Sequence, residues 1–302
     1  MFKSKNSRSR ALVRRETTAG YLFLLPSLFF FVTFVLYPMF LCIYTSFFDS
    51  NMGKNAVDVF VGLGNYKELF QDKLFLGALK NTVIIVVVAV PTVCAFSLWV
   101  ATAIYDMKPA LTSAFRCIFY LPVVTGSVAV TVVWKWMYNS RYGVFNYLFK
   151  SLGIIDQNIN WLGDARFALW CIILILFTTS VGQPIVLYVS ALGNVDHSLV
   201  EAAQVDGANR RQVFWKIKWA QIMPTTLYIL IITTINSFQC FALIQLLTSG
   251  GPTHSTDTIM YYIYYTAFKL YRYGYGNAMG VVLMIIIAAL SAVQFKLGQQ
   301  SD

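Results

Sequence analysis

Six stretches of the chain are dominated by apolar residues, at about 20–45, 79–105, 113–138, 167–192, 220–247 and 275–297. A bilayer core of about 30 Å needs roughly 20 helical residues. Each stretch is long enough, so the pattern predicts an all-α polytopic membrane protein with six transmembrane helices. Pro26, Pro38, Pro91, Pro122, Pro184 and Pro224 fall within or at the edge of these runs. Neighbouring helices can satisfy the carbonyls that such prolines free, so the residues are read as shaping the spans. A kinked helix can also line a cavity, which singles out Pro184 beside Gln183. The intervening segments 46–78 and 139–165 carry Phe70, Phe75, Trp136, Tyr142, Phe145 and Trp161 in or beside them. Such residues suit an interfacial belt, short surface helices or a docking surface for an external partner. No internal repeat, low-complexity run or separate soluble domain is visible.

Composition agrees with a membrane chain. Of 302 residues, 58% are hydrophobic and only 12% charged, against roughly 45–50% and about 25% in soluble domains. The net charge of +10 would suit nucleic acid, but the charges cluster in loops and no basic face with interleaved aromatics appears. With the N-terminus in the cytoplasm, the cytoplasmic side (1–19, 106–112, 193–219 and the C-terminal tail, with Arg116 and Lys296) holds 13 of the 23 Lys and Arg. That places both termini inside. The expected organisation is a basic cytoplasmic tail over 1–19, a six-helix permease domain over 20–297 with a cytoplasmic loop at 193–219, and a short tail at 298–302. Residues 1–19 read as a retained tail rather than a cleavable signal. The five cysteines lie inside apolar runs without CxxC spacing, as small buried hydrophobes do.

The chemistry that the spans lack narrows the function. Arg116, Lys135 and Arg166 lie near helix ends and can snorkel, and no carboxylate or histidine sits in mid-membrane as an ion-coupled carrier or channel would require. His197 and His254 are in loops on opposite sides. A membrane glycosyl or lipid transferase would need acids, bases or metal ligands, and no catalytic residue or metal ligand is identifiable. No GxxxxGK[ST] loop occurs, so the chain has no such route to ATP. What remains is a pathway of neutral polar and aromatic groups driven by an outside energy source.

Segment 193–219 is the longest internal cytoplasmic piece. Asp196 or Ser198 can N-cap a short helix, with Glu201 in capping-box position relative to Ser198. Val200, Ala203 and Val205 give the helix an apolar side, and Gly207 lets it turn without a Cβ penalty. A short amphipathic helix can dock into a groove on another protein or simply connect two spans. The run Glu201-Ala202-Ala203, then Asp206-Gly207-Ala208, then Ile217 and Pro224, resembles the EAA loop of ABC importer permeases. The family's I-x-L-P stands here as Ile222-Met223-Pro224. Gly20-Tyr21-Leu22-Phe23-Leu24-Leu25-Pro26, Leu246-Leu247-Thr248-Ser249-Gly250-Gly251-Pro252 and Thr258 through Phe268 are similar to the carbohydrate branch of that family.

The resemblance implies a type I ABC importer permease fold in a prokaryotic cell membrane. It implies a second homologous permease as heterodimer partner, two separate ATPase subunits that use ATP and Mg, and an extracytoplasmic solute-binding protein that delivers a sugar, expected to be an oligosaccharide. This chain would be no enzyme, bind no cofactor or nucleic acid, and contact membrane lipid. A helix at about 199–208, with Glu201, Ala202, Ala203, Asp206, Gly207 and Ala208, would enter the ATPase. Glu201 would pair with a basic group there, and Gly207 would permit close packing and the turn. Spans four to six would line the substrate pathway, with Thr179, Gln183, Thr233, Asn236, Ser237 and Gln239 as the polar groups, beside Thr178 and Ser180. Tyr188, Phe238 and Phe241 would offer stacking faces. The same polar side chains can equally serve as interhelical glue.

Overall fold

The structure, a computed structural model, describes the backbone of residues 5–50 and 58–299 and the side chains of 16–50 and 58–298. The basic side chains from Lys3 to Arg15 and the end of the tail, residues 300–302, lie outside the described residues. The backbone of the expected N-terminal tail is helical from Lys5 onward, continuous with the first span. Among the described residues, five helices are long and apolar enough to cross a membrane: Glu16–Thr45, Lys73–Ile104, Ala168–Gly193, Arg210–Leu247 and Tyr273–Gly298.

The third expected span is not one helix. It is Pro109–Val124 followed by Ser127–Met137, bent by 94°. Thr125 and Gly126 between them are extended, and Pro122 removes an amide donor just before the break. Contacts at the two ends of the bundle show that the bent pair still carries the chain from one side to the other. At one end, Tyr105 and Asp106 share a cleft with Gln204 and Lys218. At the other, Tyr138 packs with Cys171, Leu247 and Tyr261. Residue 109 therefore starts at the first end and residue 138 lies at the second, so the chain makes six crossings.

Helix Ala168–Gly193 is one span with a local bend at Val181, whose amide still bonds to the Phe177 carbonyl at 3.2 Å. Val181 separates Ala168–Ser180 from Gly182–Gly193. The buried Val181 carbonyl accepts from the Ser97 hydroxyl at 3.3 Å and from the Ile185 amide at 3.1 Å. At Gly182 the third span lies so close that a Cβ would overlap the Phe119 carbonyl oxygen. Small residues at such crossings let helix backbones approach in lipid.

The outer end is tied together across almost the whole sequence. Glu68 accepts two hydrogen bonds from the Arg272 guanidinium, at 2.8 and 2.7 Å. Asp72, which caps the second span, also accepts from the Tyr262 and Tyr275 hydroxyls at 2.6 and 2.9 Å. The Asn81 amide donates to the carbonyls of Ser255 and Asp257. Within the segment 139–165, the Asn146 side chain donates to the Ser140 and Ile159 carbonyls and accepts from the Trp161 ring N–H. The aromatic residues expected there as a belt are partly a small core, in which Phe145 stacks on Tyr138 and Trp134. One two-stranded ladder, Phe48–Asp49 with Val59–Phe60, departs from the all-α expectation.

Gly182→Ala is expected to lower the midpoint of thermal unfolding of the detergent-solubilised complex, at a cost of about 1–3 kcal/mol from overpacking. Gly193→Ala is the matched control, since a Cβ there has no neighbour within 4 Å; its midpoint should not fall.

Candidate functional site

Two regions are built from the residues that the sequence singles out. The first is the short helix His197–Val205, joining the fourth and fifth spans. Asp196 is its N-cap, accepting from the Ser198 amide at 2.9 Å and the Ser198 hydroxyl at 2.7 Å. Ser198 is therefore inside the helix, and Glu201 does not close a capping box with it. The capping box forms instead between Asn209 and Gln212, which opens the following helix. At the C-terminal end, the Ala208 amide bonds to the Ala203 carbonyl and the Gly207 amide to that of Gln204. This is a Schellman motif, and it needs a left-handed residue; Gly207 supplies it at φ +84°. Among the described residues, apart from its chain neighbours, no atom lies within 4 Å of a Cβ built on Gly207. Within the chain, then, the glycine is required by its backbone angle rather than by crowding.

The helix is fixed to the bundle by one side. Val200 packs on the cluster of Leu192, Val195 and Ile222, and the Asp196 amide bonds to the Gln221 side chain at 3.0 Å. The other side is open. Leu199 is exposed and Val205 is 87% exposed, so Val205 is not on the same apolar side as Val200, contrary to expectation. Glu201 is exposed and has no ion pair among the described residues. The hydrogen bonds from the Ser198 hydroxyl and amide hold the Asp196 carboxyl below the usual range. The cap is consequently complete at neutral pH and is lost only as pH falls through that lowered value.

The second region is a cavity of about 140 Å³ between the third, fourth and fifth spans, beside the bend at Val181. It brings together Thr179, Ser180 and Gln183 from one helix with Thr233 and Asn236 from another, and Val123 adjoins the bend of the third. The side chains of Ser180, Gln183, Thr233 and Asn236 have no hydrogen-bond partner among the described residues. Thr179 bonds back to the Ile175 and Leu176 carbonyls. No charged residue lines the cavity.

Four of the six expected pathway residues thus meet at one place. Ser237 lies one position beyond Asn236, which turns it by about 100° into the buried core. Gln239 is past the helix end. Neither lines the cavity. Tyr188 and Phe238 are each only 1% exposed and offer no stacking face, while Phe241 packs on Tyr264. The aromatic group that does line the cavity is the half-exposed Tyr228. Its signal is in the sequence: Tyr228, Ile232 and Asn236 are spaced by four, as are Thr179, Gln183 and Leu187 on the facing helix.

A helix tethered on one side and open on the other, at the end of a six-crossing bundle with an uncharged central cavity, matches one family along most of the chain. Residues 72–299 match the family described as "Binding-protein-dependent transport system inner membrane component". The chain belongs to the permeases of binding-protein-dependent ABC transporters. Among similar proteins are the probable ABC transporter permease YesP of Bacillus subtilis, 33% identical over 97% of this chain and 93% of the relative, and the lactose transport permease LacF of Rhizobium radiobacter, 33% identical over 94% and 95%. The multiple sugar-binding transport permease MsmF of Streptococcus mutans is 32% identical over 94% and 96%. In fold, the permease is similar to a chain of a bacterial alginate ABC transporter crystallised with a periplasmic protein bound to an alginate pentasaccharide. The TM-score is 0.81 at 23% identity, covering 95% of this chain and 96% of that one. The permease is accordingly a multi-pass inner-membrane component and not the ATPase.

Asp196→Ala and Gly207→Ala are each expected to weaken the short helix by about 1 kcal/mol, through loss of the cap and through a strained left-handed alanine. Faster hydrogen–deuterium exchange confined to peptides covering 196–208 checks this, and Gly207→Asn should lose less protection than Gly207→Ala.

Proposed function

We propose that this permease forms, with a second homologous permease, the translocation pathway for a sugar, an oligosaccharide in particular, released by an extracytoplasmic binding protein. The cavity carries this reading. It presents two amides, three hydroxyls and one tyrosine ring and no charge, the groups that bind neutral polyols. At about 140 Å³ it is well below the roughly 300–1,000 Å³ of a complete ligand pocket, so it supplies one wall and the partner supplies the rest. The first span supports a membrane partner as well. None of its most apolar window is buried in this chain, and only its outer end, Tyr37–Thr45, packs closely on the sixth span. Such a free helix is a natural surface for a second permease.

On the cytoplasmic side, we assign His197–Val205 to the ATPase, two copies of which would serve the permease pair. The exposed Leu199 and Val205 would enter its cleft, and Glu201 would meet a basic group there. The tethering of this helix through Val200 and Gln221 gives a rigid link from ATPase closure to the fourth and fifth spans, where the cavity lies.

Gln183→Ala and Asn236→Ala should each raise the apparent KM for uptake by about two- to tenfold, the loss of one hydrogen bond worth about 0.5–1.5 kcal/mol, with the complex intact. Normal transport by both would remove these residues from the pathway. Gly207→Asp should assemble poorly with the ATPase, and the complexes that form should hydrolyse ATP without uptake; unimpaired transport would overturn the coupling assignment. Measuring which sugar the cognate binding protein captures tests the substrate class.

A further inference from the structure

A second, larger cleft of about 580 Å³ opens at the cytoplasmic end of the bundle, between Tyr105 and Asp106 at the end of the second span, Gln204 on the short helix, and Arg210 and Lys218 at the start of the fifth span. We propose that it binds the phosphate headgroup of an anionic membrane phospholipid.

The argument begins with charge. Arg210 and Lys218 both line the cleft, and neither has a carboxylate partner among the described residues, whose ion pairs all lie elsewhere. Asp106 is the single carboxylate in the lining, which leaves one positive charge unbalanced. Lys218 is also held in place. Its ammonium donates to the Tyr105 hydroxyl and lies 4.4 Å from the centre of the Tyr105 ring. A neutral phenol positions the cation without neutralising it.

Depth decides the source of the anion. The second span ends at Ile104 and the fifth begins at Arg210, so Thr102, Tyr105 and Arg210 lie at the ends of spans, the level at which headgroups are expected. Trp99 and Trp215, both more than half exposed, flank this level, as amphipathic rings do at a bilayer interface. Trp99 is one helical turn before Thr102 and its ring packs on Phe96, 5.8 Å between ring centres, toward the apolar part of the span, where an acyl chain would run. Basic pockets between helices on the cytoplasmic face attract anionic headgroups. Because Gln204 and Val200 of the short helix share the lining, a bound headgroup would brace that helix from the membrane side.

The test uses the intact transporter complex in nanodiscs of phosphatidylglycerol mixed with phosphatidylcholine, with retained lipid counted by native mass spectrometry. The wild type should retain phosphatidylglycerol in preference to phosphatidylcholine. The Arg210→Gln/Lys218→Gln double variant should lose roughly tenfold or more in that preference, the scale of removing two cations at a membrane surface. Lys218→Arg alone should keep it, which separates lost charge from misfolding. Equal phosphatidylglycerol retention by the double variant would overturn the proposal. Thermal protection by inorganic phosphate with none from phosphatidylglycerol would mark a soluble-anion site and overturn it too. Loss of the ATPase from the double variant with lipid retention unchanged would assign the cleft to the ATPase instead.

Discussion

Inside a hydrocarbon layer a peptide N–H or C=O without a partner costs several kcal/mol, so a spanning helix can break only where protein or a polar cavity takes over its hydrogen bonds. This constraint governs the permease. The third span breaks at Thr125–Gly126, and the fourth bends at Val181, beside the close approach of Gly182 to the Phe119 carbonyl. Val181 is buried and its carbonyl is satisfied by Ser97 and Ile185. The cavity lies beside the break and the bend, and its polar side chains are admitted there because the surrounding helices shield them from lipid.

The short helix His197–Val205 obeys the opposite logic. It lies beyond the last turn of the fourth span, its ends are closed by its own residues, and one of its faces is left uncovered. Helices this short are not stable alone in water. Here the Asp196 cap, the Gly207 turn and the Val200 anchor replace the missing length. A mount on one side and an open face on the other are what the coupling role proposed for this helix requires.

At the outer end, stability comes from contacts between distant parts of the chain. The Glu68–Arg272 pair and the Asp72–Tyr262–Tyr275 cluster join the segment after the first span to the segment before the last. Both are partly exposed to water, where a single ion pair contributes little. Their effect is to fix the relative positions of the second and sixth spans and of the loop between the fifth and sixth, while the fourth span and the cavity lie on the other side of the second.

Much of the permease was legible in the chain alone because the information is local. Apolar run length sets the number of crossings, and the caps of the short helix need residues only two to five positions apart. Asp196, Gly207 and the Glu201-Ala202-Ala203 run could be read without a fold. Even the cavity left a trace, in the four-residue spacing of Thr179 with Gln183 and of Tyr228, Ile232 and Asn236. Tertiary structure decided the rest. Ser237 differs from Asn236 by a single 100° step, and only the packing of the neighbouring helices determines which of the two faces the cavity. Tyr188 and Phe238 went to the core and Tyr228 to the cavity, although all three are aromatic residues in apolar runs. The outer clamp joins residues about 200 positions apart. In a bilayer almost every face of a span is apolar, so the sequence marks where a helix crosses but carries little signal for which side it turns toward its neighbours; that orientation is set by close packing between helices.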